Sequence, residues 1–148
     1  MTLSAAAPAA PGAPTSAPAP LASATEYVPG VCNIGPAEIA RRRRAGHVGA
    51  AAAVALFAGL VAIGAPPILR LAIALPVAVS ASGYLQARLK FCAGFGSTGV
   101  FNFGELGATQ HVVDEAARAA DRRTSLRISL ASGAIGLAVG TVAAVLPI

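Results

Sequence analysis

Two cysteines are the side chains here best suited to chemistry. Cys32 lies upstream of Arg41, Arg42, Arg43 and Arg44, and Cys92 follows Arg88 and Lys90. Positive charge beside a thiol favours the reactive thiolate. Two thiolates at one membrane face would suit sulfur or persulfide handling, or a soft metal. The plainer reading makes both cysteines small buried hydrophobes. A zinc site normally takes four ligands. His47 and His111 complete that number only on paper, because no CxxC or HxxxH spacing is present, so no metal and no cofactor are expected. Gly94 to Gly99 fits GxGxxG, but a dinucleotide site needs that turn between a strand and a helix of a βαβ unit. These glycines are expected to serve tight turns instead. There is no GxSxG and no HExxH. Glu38, Glu105, Asp114, Glu115 and Asp121 are expected to cap helices or balance arginines, so no enzyme activity is assigned.

The elements that carry these residues follow from where charge is missing. Of 148 residues, 55% are hydrophobic and 11% charged, against ~25% charged in average soluble domains. Between Gly46 and Ala87 the one charged residue is Arg70, and none follows Arg127. Charge is costly in hydrocarbon, so these gaps predict an all-α integral membrane protein with three transmembrane helices, at about 46–64, 68–86 and 128–148. A helix over 46–64 would be ~28 Å long, close to the ~30 Å hydrocarbon core. Ala65-Pro66-Pro67 makes the first two spans an antiparallel hairpin, and Pro76 is expected to kink the second. Arg70 is expected to snorkel to the headgroups and Tyr84 to sit at an interface. Phe91 to Gly107 reads as irregular. An amphipathic helix in the cytoplasm is expected over 109–127, with Asp114 and Arg118 one turn apart, running on into the third span. Residues 1–30 are rich in Ala and Pro and read as a disordered tail without the basic start of a signal peptide; 31–148 form the membrane domain.

All of the 11 Lys and Arg except Arg70 precede the first span or separate the second from the third. Arg41, Arg42, Arg43, Arg44, Arg88 and Lys90 therefore act as topology signals. They place the N-terminus in the cytoplasm and the C-terminus outside, in the cell inner membrane. The same bias accounts for the net charge of +5 without nucleic acid. Ser132, Gly136, Gly140 and Ala144 recur every fourth residue, a small-residue stripe that lets helices approach closely. It would serve the three-helix bundle itself, a homo-oligomer or a membrane-protein partner. A structural or accessory subunit is the leading expectation; the thiol site and a component of an oligomeric transporter are the alternatives.

One stretch carries a family pattern. Asn33-Ile34-Gly35-Pro36-Ala37-Glu38 continues to Arg42 and Gly46, enters the hairpin, and leaves it at Phe91-Cys92-Ala93-Gly94-Phe95. Over about residues 32–99 this resembles the YgaP-like transmembrane domain family of bacterial membrane hairpins. Glu38 stands for its usual Asp, Ile39 for its first Arg, Ala93 for its Pro and Phe95 for its Tyr. Some members are joined to sulfur-transfer domains, so the resemblance implies a thiol role and names no substrate. Asn102-Phe103-Gly104 and Asp121-Arg122-Arg123 echo the same entry faintly, as a degenerate repeat would.

Overall fold

The computed structural model describes residues 26–147. The Ala- and Pro-rich tail expected at 1–30 lies outside them except for its last five residues, as does Ile148. The chain forms α1 (Pro36–Ala62), a 3-10 helix (Pro67–Ile73), α2 (Ala74–Leu89), α3 (Ala93–Thr98), strands β1 (Val100–Phe101) and β2 (Gln110–His111), and α4 (Glu115–Val145). Three helical stretches, 36–62, 67–89 and 115–145, are long and apolar enough to cross a membrane.

Each boundary has a local cause. α1 opens on Gly35, in extended conformation, with Pro36 in its first turn and Glu38 close behind. Proline suits that place because its missing N–H would have no helical partner. The helix starts ten residues before the expected span because Ala, Glu and Arg all favour helix. It ends in a Schellman closure: Gly64, at φ +62°, donates to the Val61 carbonyl at 3.0 Å and Ala65 to the Leu60 carbonyl at 2.9 Å. The second span is split rather than kinked. Pro76 lies in the first turn of α2, where it withholds the N–H that an α-helix would direct to Ala72, and the residues before it run as the 3-10 helix.

The small-residue stripe of α4 lies between helices, whereas on α1 the evenly spaced Ala51, Ala55 and Gly59 are exposed and Gly46, Gly49 and Ala53 are the buried small residues. Gly49 meets the Ser80 backbone and Gly83 the Gly46 backbone, so α1 packs antiparallel on α2. Gly136 meets the Ala74 carbonyl and Ala78, and Gly140 meets Ala74 and Leu71, so α4 packs antiparallel on the other side of α2. The helices form a row with α2 in the middle. Ser132, Gly136 and Gly140 are buried as expected, but Ala143 takes the next buried place and Ala144 is half-buried. The repeat drifts because 3.6 residues per turn do not divide into fours.

Several expectations need correction. The fold is not purely helical: Val100 pairs with His111 and Phe101 with Gln110, antiparallel. Phe91 to Gly107 contains α3 and β1, so only part of it is irregular. The helix expected over 109–127 does run on into the third span, but it begins later. The chain there first forms β2, then starts α4 at Glu115, with the Asp114 carboxylate accepting from the Ala117 N–H at 2.8 Å. Arg118 does not answer Asp114; its Nε donates to the Val112 carbonyl at 2.8 Å. Arg70 does not snorkel. It is buried, and its Nη1 donates to the Leu146 carbonyl at 3.0 Å. A cation suits the negative end of α4.

Candidate functional site

The chemistry-bearing residues gather at the basic end of the helix row, where α1 begins, α2 ends and α4 is in its first turns. Lys90 ends α2 in left-handed conformation, and its carbonyl accepts from the N–H groups of Asn33 and Ile34 at 3.2 and 3.3 Å. This lays the segment before α1 across the exit from α2. The fully buried Asn33 then clamps the Cys92 backbone. Its Oδ1 accepts from the Cys92 N–H at 2.6 Å and its Nδ2 donates to the Cys92 carbonyl at 3.1 Å. Asparagine is the small side chain with one acceptor and adjacent donors, so the amide pairs with both the N–H and the C=O of one residue.

Cys92 is 1% exposed. Its sulfur receives two donors: Arg42 Nη2 at 2.8 Å and the Phe95 N–H at 3.4 Å. The Arg42 guanidinium also stands 5.8 Å over the Phe95 ring. Glu38, equally buried, lies one turn before Arg42 on α1. Its Oε2 is 3.1 Å from Arg41 Nε and 3.7 Å from Arg42 Nη2. One carboxylate thus faces two guanidiniums, which leaves the cluster with surplus positive charge. Of the arginine run, Arg42 turns inward while Arg41, Arg43 and Arg44 stay exposed, as do Arg88 and Lys90.

Cys32 is separate in kind. It is buried, its Sγ 4.0 Å from the Ile34 carbonyl. Burial pushes its thiol above the ordinary value, with the Lys90 charge opposing. Desolvation thus opposes the thiolate form of Cys32. Both cysteines are free thiols.

A second buried acid sits at the same end. Asp121 of α4 is fully buried and accepts from the Tyr27 hydroxyl at 2.9 Å and the Gly30 N–H at 2.6 Å. The Gly30 carbonyl accepts from Thr124 at 2.7 Å, and Tyr27 stacks on Phe101 at 4.7 Å. Burial, the Asp121 hydrogen bond and the Asp121 charge together raise the Tyr27 phenol far above its usual range. Sequence reasoning treated Asp121 as one more surface acid. The signal available was its place in the echo of the first entry, where Glu38 is the corresponding buried acid.

That echo also has a geometric counterpart. Ile34 and Asn102 are bridged in parallel, with Gly35 N–H donating to the Asn102 carbonyl at 2.7 Å and Asn102 N–H to the Asn33 carbonyl at 3.0 Å. Gly35 is required here, since an added Cβ would stand 2.8 Å from the Phe103 backbone. The side chains differ in role. Asn102 folds locally, accepting from the Gly104 N–H at 2.9 Å and donating to the Glu105 carbonyl at 2.8 Å.

No family model, curated protein or solved structure matches this chain. The site is thus read from its own geometry. The GxGxxG residues build α3 and its left-handed cap at Gly99, and Gly96 gives room to the Phe91 ring and Ser125. His47 bonds Tyr84 through Nδ1 at 2.6 Å, and His111 is exposed on β2. Among the described residues no group of three or more His, Cys, Asp or Glu could hold a metal ion.

Proposed function

We propose that this chain is a three-span integral membrane protein, with its N-terminus in the cytoplasm and its C-terminus outside, in the cell inner membrane of a bacterium. In this reading it serves as a structural or accessory subunit and not as an enzyme. One observation carries the membrane reading. The large apolar side chains of the three helices face outward while the small ones face each other. Val48, Val54, Ile68, Leu75, Leu130, Leu137 and Val142 are all exposed, and Gly49, Ser80, Gly83, Ser132, Gly136 and Gly140 are buried. Water would not tolerate so much apolar surface on a monomer, whereas lipid asks only that the helices fit closely.

The stripe of Gly136 and Gly140 is occupied by α2 of the same chain. Self-association or a membrane-protein partner must therefore use the outward faces. The YgaP-like resemblance supports the placement, since Asn33, Glu38, Arg42 and Cys92, which carry it, meet in one cluster. The test is alkaline carbonate washing of membranes, with maleimide labelling of single cysteines at Arg43 and Gly64 in a Cys32→Ser, Cys92→Ser background. Retention in the membrane, with Arg43 labelled from the cytoplasmic side and Gly64 from the opposite side, is expected. Release by carbonate would sink the reading, and the reverse labelling would invert the topology.

A thiol role for Cys92 has a specific observation behind it: the Arg42 guanidinium 2.8 Å from its sulfur. A cation and a backbone N–H directed at one sulfur would steady a persulfide or thiolate charge. Mass spectrometry of the intact chain after persulfide donor treatment checks it. Modification at Cys92 that Arg42→Gln abolishes supports the role; modification at neither cysteine removes it.

A further inference from the structure

A row of three helices has two broad faces, and these differ. On one face a cavity of about 300 Å³ is lined by Ala53, Phe57, Ile73, Val77 and Val142, with no polar side chain. On the other a cavity of about 420 Å³ is lined by Arg42, Ser82, Gln86, Ser129, Ser132 and Gly133. Val77 and Gln86 of α2 are half a turn out of phase at ~100° per residue, which puts the two hollows on opposite sides of the row. The polar hollow lies at the basic end, where the charges of α4 stop at Arg127 and its apolar run begins. A neighbouring cavity of about 360 Å³ shares Ser129 and adds Ser97 and Arg122.

The donors in this hollow are not used up. Arg42 Nε is buried and has no hydrogen-bond partner among the described residues, although Nη2 is engaged with Cys92. Gln86 Nε2 donates to Ser82 Oγ at 2.7 Å, so the Ser82 proton is free to point elsewhere. No acidic side chain lines either cavity, and Glu38 balances only one of its two arginines. An unpaired buried donor such as Arg42 Nε is costly, and Arg42, Ser82 and Ser129 line one hollow at the end where a headgroup would meet hydrocarbon. What satisfies them is an anion made only of acceptor oxygens, with an apolar continuation along Ala78 and Val79, which also line the hollow.

We propose that this notch seats the phosphate group of an anionic membrane lipid in the leaflet at the basic end. Arg42 Nε and the hydroxyls of Ser82 and Ser129 donate to the phosphate oxygens, and Arg122 sits beside the rest of the headgroup. The site rests on the three-span reading. Its chemistry is that of a basic pocket between membrane helices.

Arg42→Gln is a poor probe alone, because Arg42 also holds Glu38 and Cys92. Gly133→Leu is the better one. A Cβ there would meet no atom within 4 Å and Gly133 lines the notch, so a leucine should enter the notch with little effect on helix packing. Gly59→Leu, equally open on α1 and outside the notch, is the control. The full chain in detergent is offered phosphatidylglycerol, phosphatidylcholine or inorganic phosphate, and bound species are counted by native mass spectrometry. One retained phosphatidylglycerol is expected, with phosphatidylcholine about tenfold weaker, because it offers the same phosphate but its choline cation is repelled by Arg122 and the surplus positive charge of the cluster. Gly133→Leu should weaken phosphatidylglycerol by about as much and Gly59→Leu should not. Equal retention of both lipids, or an unaffected Gly133→Leu, overturns the site. Displacement of the lipid by inorganic phosphate assigns the notch to the free ion and overturns the lipid. Carbonate release from membranes would defeat the span reading itself, whereas retention without lipid selectivity defeats only the notch.

Discussion

The two ends of the helix row are held by opposite means. At the basic end, Asn33, Glu38, Asn102 and Asp121 are essentially fully buried polar residues; Asn33 and Asp121 reach groups far away in the chain, while Glu38 and Asn102 bind neighbours within a turn. Along the spans, contact is between backbones across Gly49, Gly83, Gly136 and Gly140. The first mode is directional: each amide or carboxylate accepts one arrangement of partners. The second is steric and sets only how close helices come. The comparison teaches that spacing alone brings the helices together, while the polar end fixes which segment lies on which.

Asn33→Leu attacks that division hardest. It removes two hydrogen bonds and leaves the Cys92 N–H buried and unpaired, while the Cys92 carbonyl keeps the Gly96 N–H at 2.9 Å, and should cost about 3 kcal/mol in reversible unfolding by dodecyl sulfate. A cost like that of a surface change would mean the clamp does not specify the end. Gly136→Leu comes next. It forces a side chain against the Ala74 carbonyl and should cost about 2 kcal/mol by overpacking, whereas Gly133→Leu on the next turn back should cost nothing measurable. Equal effects would break the steric account of the spans. Asp114→Ala should lower stability by about 1 kcal/mol as α4 loses its cap, read by the same titration.

The smallest effect is in pH. Cys32 and Tyr27 both hold their protons more tightly folded than unfolded. The stability they add is therefore complete below their unfolded values of 9.0 and 10.0, and is lost as pH rises toward the folded ones. Stability should be flat near neutral pH and fall above about 9, and Cys32→Ala with Tyr27→Phe should flatten that fall. Unchanged alkaline loss in the double variant would place its cause elsewhere.

The spans were legible because charge is excluded over long stretches, and so was the stripe of Ser132, Gly136 and Gly140. Their neighbour was less so: the choice between α2 and a second copy depends on Ala74 and Ala78, and a repeat of small residues does not name its partner. The polar end was legible as a motif and not as a geometry. Nothing in the spacing of Asn33 and Cys92 states that the amide of one pairs with both the N–H and the C=O of the other. Asp121 was invisible for a plainer reason: a solvated acid in a helix and a fully buried one have the same letter, and the groups that bury it, Tyr27 and Gly30, stand more than ninety positions earlier. Arg70 was misread because hydrocarbon near a headgroup layer and a helix end offering free carbonyls both suit an arginine.

Arg70 and Leu146 are separated by 76 positions. In the proposed topology both lie on the far side of the membrane, and the hairpin that carries Arg70 is synthesised well before the α4 residues that receive it. During translation the guanidinium must wait near the outer leaflet, and it gains its carbonyl only after α4 has crossed. The Arg70–Leu146 bond would thus be a contact that closes only when insertion is complete.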